Sequence, residues 1–100
     1  MTDKIRVKVD KELEELIPKY LENRRKDVEV MQIGLTTEDY ESIRLIGHSM
    51  KGSGESYGLN QISEIGKAIE QAVKDQNIED LKRQIMELKN YLDQAEVVYE

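Results

Sequence analysis

Apolar positions recur at steps of three and four along most of the chain, the spacing of one buried helix face. Ile17, Leu21, Arg24, Val28 and Met31 form a first stripe; Tyr40, Ile43, Ile46, Gly47, Met50 and Gly54 form a second. Ile62, Ile65, Gly66, Ile69, Ala72 and Val73 make a third, and Ile78, Leu81, Ile85, Leu88, Leu92 and Ala95 a fourth. Charged and polar residues fill the gaps, so each helix keeps a solvated face. Arg24 interrupts its stripe, and its stem is expected to pack while its head reaches solvent or an acid.

The punctuation divides these stripes. Asp10 is a cap for a short first helix, Lys11 to Leu16, with Glu12, Glu14 and Glu15 near its positive end. Pro18 belongs in the first turn of the next helix, where its missing N–H costs nothing, and Gly34 is expected to end that helix. Thr36 or Thr37 then caps a helix running to Gly52 or Ser53, and Gly54 to Gly58 form a loop. Another helix starts near Leu59 or Asn60. Asn77, with Asp80 three residues on, caps the last. The pattern predicts an all-α fold: an up-down-up-down four-helix bundle with a short extra N-terminal helix. It is one domain over 1–100, the bundle occupying about 10–99 and residues 1–9 a brief extended arm, most strand-like at Ile5 to Val9.

Composition narrows the function classes. The formal net charge is −6, which argues against nucleic acid, since phosphate contacts need surplus Lys and Arg. The run Arg24-Arg25-Lys26 is read as a solvated face. No stretch approaches the ~18 apolar residues of a membrane span, the start lacks the apolar run of a signal peptide, and there is no cysteine. A cytoplasmic monomer is the expectation. With a single histidine and no cysteine, no metal site is expected.

That histidine is the candidate chemistry. At ~100° per residue His48 falls roughly 140° from the middle of its helix's core stripe, so it points to solvent. Leu45, one turn before, and Gly52, one turn after, share this outward ridge. Gly52 either punctuates the helix end or lets another backbone come close to His48. Arg44 and Lys51 are helical neighbours of the ring. Two cations disfavour a third positive charge, which leaves the imidazole neutral near pH 7 and able to act as a nucleophile. The same cations would stabilise an incoming phosphoryl group.

His48-Ser-Met-Lys51-Gly52-Ser53-Gly54 resembles the H-x-x-K-G-S/G-S/G signature of histidine-containing phosphotransfer (HPt) domains. The surroundings are similar too: Ile17-Pro18 with Tyr20-Leu21, then Tyr57-Gly58-Leu59, then Ile69-Glu70 on the following helix, so the likeness covers about residues 10 to 95. The resemblance implies that His48 accepts a phosphoryl group, usually through Nε2, and that Lys51 stabilises it. Gly52 and Gly54 would leave room for the partner, and the outward ridge with Leu45, beside Arg44, is read from its spacing as the surface where it docks. A polar residue of the next helix commonly orients the histidine; Glu70 matches that position, with Gln71 beside it. The family often has Gln there, and an acid instead would repel a phosphate and oppose Lys51.

The implied partners are receiver domains of response regulators or hybrid kinases, one donating a phosphoryl group from its phosphoaspartate and another receiving it. The chain itself would need no cofactor, Mg²⁺ being expected on the receiver. It would be a stoichiometric carrier in a two-component phosphorelay, not an enzyme. Gly52-Ser53-Gly54 follows a helix instead of opening one, so it is no P-loop. Two alternatives stand beside the relay: the substrate domain of a chemotaxis-type histidine kinase, and a non-phosphorylated helical adapter. The opening Met1 and an expected C-terminal helix favour a stand-alone chain over an excised piece.

Overall fold

The computed structural model of the chain describes residues 4–100, and the first three positions of the expected arm lie outside it. Four antiparallel helices form the bundle: α1 (Ile17–Thr37), α2 (Tyr40–Ser53), α3 (Asn60–Lys74) and α4 (Ile78–Gln94). The core is built from the stripes read in the sequence. Ile17 and Met31, Ile43 and Met50, Ile62 and Ile69, and Leu81 and Leu88 have no exposed surface. Burying such a side chain contributes roughly 1.5–3 kcal/mol relative to leaving it in water. Among the described residues no helix is long and apolar enough to cross a membrane.

Several boundaries differ from expectation. Gly34 does not end α1, which runs three residues further; Gly34 is buried, and a Cβ there would lie 2.9 Å from Ile43 Cγ1. The stop comes at Glu38, whose φ of 58° takes the chain out of the helix. Thr36 and Thr37 cap nothing, their hydroxyls donating to the carbonyls of Gln32 and Ile33. Asp39 caps α2 instead, accepting from the backbone N–H of Ser42 at 3.3 Å and from its hydroxyl at 2.6 Å. The expected first helix shrinks to a 3₁₀ turn, Lys11–Leu13, which Asp10 does cap.

The last stripe also overreaches. Helix α4 stops at Gln94, and Ala95 opens a strand, β2 (Ala95–Tyr99). The expected arm is its partner, β1 (Ile5–Val9), paired in parallel with Ile5 opposite Ala95 and Val9 opposite Tyr99. Parallel strands need a long connection between them; here the whole bundle is that connection. Alternation decides the faces: Ile5, Val7 and Val9 turn toward the bundle, Arg6 and Lys8 toward solvent, and Val9 is fully enclosed. The ribbon continues through Glu100, which donates its N–H to Val9 and accepts from Lys11, both at 3.0 Å.

Arg24 reaches an acid, as its stripe position suggested, on its own helix. Its Nε lies 2.8 Å from Asp27 Oδ2 but out of line for a hydrogen bond, and its guanidinium sits 4.5 Å from the centre of the Tyr20 ring. Burial raises the Asp27 carboxyl above the usual range against the opposing pull of Arg24. Tyr20 also stacks on Tyr57 and shares a 2.7 Å hydrogen bond with Ser53 Oγ, tying α1 to the end of α2.

Candidate functional site

The site is made where α2 and α3 touch backbone to backbone. A Cβ on Gly47 would lie 2.9 Å from the Gly66 carbonyl oxygen, and one on Gly66 only 2.7 Å from the Gly47 oxygen. Because neither residue has a side chain, the helices close up. Glu70, one turn beyond Gly66, is thereby brought against His48.

The His48 side chain is 61% exposed, as the helical arithmetic requires, and its Nδ1 lies 2.9 Å from Glu70 Oε2. The other carboxylate oxygen accepts from Lys51 Nζ at 2.9 Å. Arg44 Nη1 at 3.7 Å and Lys74 Nζ at 3.8 Å complete a ring of cations around Glu70, whose side chain is only 6% exposed. These contacts pull its carboxyl from the ordinary 4.5 to about 2, the Lys51 hydrogen bond first, with help from His48 and the charges of Lys51 and Lys74, against the opposing effect of desolvation.

An ionised carboxylate can only accept hydrogen bonds. Nδ1 of His48 therefore carries the proton, and in the neutral ring Nε2 keeps its lone pair on the opposite, solvent-facing side. One buried acid thus sets both the tautomer and the orientation of the imidazole. Lys51 and Arg44 differ from the free flanking cations the sequence suggested. Lys51 is tied to Glu70, and Arg44 makes a two-pronged bond to Glu41 at 2.7 and 2.9 Å.

Of the other candidates, Leu45 is 53% exposed, and a Cβ on Gly52 would meet nothing within 4 Å, so both lie open on the ridge. Gly54 does not. It is buried, and a Cβ there would sit 2.6 Å from the Ser63 nitrogen and 2.9 Å from the Leu59 oxygen, so its smallness serves internal packing, not docking. Gln71 is likewise turned away, donating to Asp75 at 3.0 Å instead of approaching His48. Sequence reasoning missed Lys74, although its place four residues after Glu70 is the signal that could have found it. It also missed Ser63, whose hydroxyl accepts from the Glu55 N–H at 2.7 Å and holds the turn after α2.

A family model described as Hpt domain matches residues 15–97. Neither the curated proteins nor the solved structures contain a match to the chain. The matched span takes in all four helices and the His48–Glu70 pair. The chain belongs to the Hpt domain family, whose members are phosphocarriers with a histidine phosphotransfer role in two-component signalling and interact with receiver domains.

Proposed function

We propose that His48 takes a phosphoryl group from the phosphoaspartate of one receiver domain and hands it to the aspartate of a second. The observation that carries this reading is the exposed ring whose Nδ1 is held by an ionised Glu70 at 2.9 Å, which leaves Nε2 outward. In the forward step the Nε2 lone pair attacks phosphorus, the Nε2–P bond forms and the P–O bond to the aspartate breaks. The aspartate leaves as a carboxylate. The proton stays on Nδ1, so the ring becomes cationic, and the negative charge of Glu70 offsets it. Lys51 spends one of its three N–H donors on Glu70 and has others for the phosphoryl oxygens. Catalysis is positioning and charge stabilisation, with any Mg²⁺ supplied by the receiver.

The chain works in this reading as a cytoplasmic monomer, loaded once and unloaded once per cycle. Incubation with a receiver labelled on its aspartate should transfer acid-labile label to the wild-type chain. His48→Gln should take up none. Equal labelling of the two would end the proposal.

A further inference from the structure

Glu70 is met by positive or proton-bearing groups from two helices, and they differ in how freely they can serve it. From α2 come His48 and Lys51, each at 2.9 Å, and Arg44, whose Nη1 is 3.7 Å from Oε2. From α3, the helix of Glu70 itself, comes Lys74, its Nζ 3.8 Å from the same Oε2. Arg44 is already committed, because its Nε and Nη2 grip both oxygens of Glu41. Lys51 faces a second claim, since it also has the phosphoryl oxygens to receive. Lys67, one turn before Glu70, forms no ion pair with it among the described residues and lines the polar cleft beside Lys51 instead. Lys74 alone has no other duty: among the described residues Glu70 is its one acidic partner.

We infer that Lys74 is a positioning residue for the transfer: it keeps Glu70 ionised, and so gripping Nδ1–H, while Lys51 divides its charge between the carboxylate and the arriving phosphoryl group. This rests on the function proposed above, from which it takes Nε2 as the acceptor. The arriving group is an anion. It draws on Lys51, and its own charge disfavours a second anion nearby, so both effects push Glu70 toward its protonated form. Burial, at 6% side-chain exposure, pushes the same way. The ring is still neutral at that moment and offers no positive charge in return. The cost of a protonated Glu70 is specific. Its O–H would donate to Nδ1, the ring proton would then sit on Nε2, and the lone pair would be lost from the atom that attacks. Lys74 is placed to prevent this. It stands four residues after Glu70, one helical turn on, so its distance depends on neither α2 nor the donor. It faces Oε2, the oxygen that holds the ring, and leaves Oε1 to Lys51. At 3.8 Å it acts by charge, not by a hydrogen bond.

Phosphoramidate labels His48 without a receiver, so the chemistry at the ring can be followed apart from docking. The full chain, Lys74→Gln, Lys74→Arg and, as a control one turn the other way on α3, Lys67→Gln are labelled between pH 8 and pH 5.5. Each initial rate is taken relative to wild type at the same pH. We expect the relative rate of Lys74→Gln to fall about fivefold across that range, as Glu70 begins to take up a proton during the reaction. Lys74→Arg should restore the wild-type profile, and Lys67→Gln should never depart from it. In the unlabelled chain the ¹³C carboxyl resonance of Glu70 should titrate at higher pH in Lys74→Gln and return in Lys74→Arg. With Glu70→Gln already in place, Lys74→Gln should slow labelling no further. A relative rate that is flat with pH, or a loss that persists in the Glu70→Gln chain, overturns the inference and leaves His48 standing as the acceptor. A wild-type chain that takes label at His48 from neither phosphoramidate nor a receiver ends the proposed function, and the inference with it.

Discussion

At the scale of single residues, Glu70 performs two tasks that an amide would split. It accepts from Nδ1–H of His48, and in the proposed transfer it would supply the negative charge that offsets a cationic ring. Glu70→Gln keeps an acceptor but no charge; Glu70→Ala keeps neither. Initial rates of receiver-dependent labelling should fall several-fold for Gln and by about a hundredfold for Ala, in the range of losing an orienting partner and an electrostatic one together. The same residue predicts a pH effect on folding. Its carboxyl sits at about 2 in the folded chain against an ordinary 4.5. The stability it adds is therefore fully present above pH ~4.5 and drains away as pH falls toward 2. Urea midpoints of wild type should drop relative to Glu70→Gln across that window, and parallel curves would refute the assignment.

Gly52 supplies a second residue-scale prediction. It is helical and a Cβ there touches nothing, so Gly52→Ala should stabilise the chain by about 0.5–1 kcal/mol. A receiver's backbone passing over it would feel the new methyl. Thermal melts should rise while transfer from the receiver slows and phosphoramidate labelling holds. The exposure of His48, Leu45 and Gly52 could be read from helix arithmetic alone, because it depends only on where each sits around one helix. Glu70 was offered by the resemblance alone, and its grip on the ring could not be read from such arithmetic. It depends on the register of α3 against α2, which the contact of Gly47 with Gly66 fixes and no local pattern encodes. Gly54 shows the converse: the resemblance put it at the docking surface, but its place on the core stripe of α2 was the better guide, since it is buried.

Among the elements, α2 and α3 are the pair on which the site depends. Gly66→Ala would gain up to about 1 kcal/mol of helix propensity but drive a methyl to within 2.7 Å of the Gly47 oxygen. Overpacking of that kind costs about 1–3 kcal/mol, so the net change is destabilising, and the helices must part. Lower urea midpoints should accompany weaker coupling of His48 to Glu70, visible as a shift of the Nδ1 and Nε2 resonances in ¹⁵N NMR. The helices themselves were plain in the sequence, since their stripes bury the residues that the spacing selects. Their ends were less so. Thr36, Thr37 and Asp39 are all good caps by chemistry, and the choice among them fell to Glu38, whose left-handed backbone sets where α1 stops. The strand β2 was hidden for a different reason. Ala95 continues the apolar step of α4, and Val97 and Val98 become a strand only because β1, from the other end of the chain, lies alongside.

For the molecule as a whole, that ribbon adds Val9 to a core otherwise built by the helices. Deleting residues 1–9 removes Val9 from the core along with the half-buried Ile5 and Val7, a loss of about 2–4 kcal/mol by burial. The melting temperature should fall while the helical signal at 222 nm and labelling of His48 by phosphoramidate persist. Among the described residues the ribbon also presents two unpaired edges, ordinarily an invitation to aggregate. Here three forms of strand addition are opposed. Antiparallel addition through β1 would set Arg6 and Lys8 against their own copies, and through β2 would do the same to Glu96 and Glu100. Parallel stacking repeats every two strands, about 10 Å, yet the body each ribbon carries measures at least 19 Å across. Neighbouring bundles would collide before the strands could bond, so a feature that looks like a seed for fibrils is capped by the bulk of its own protein.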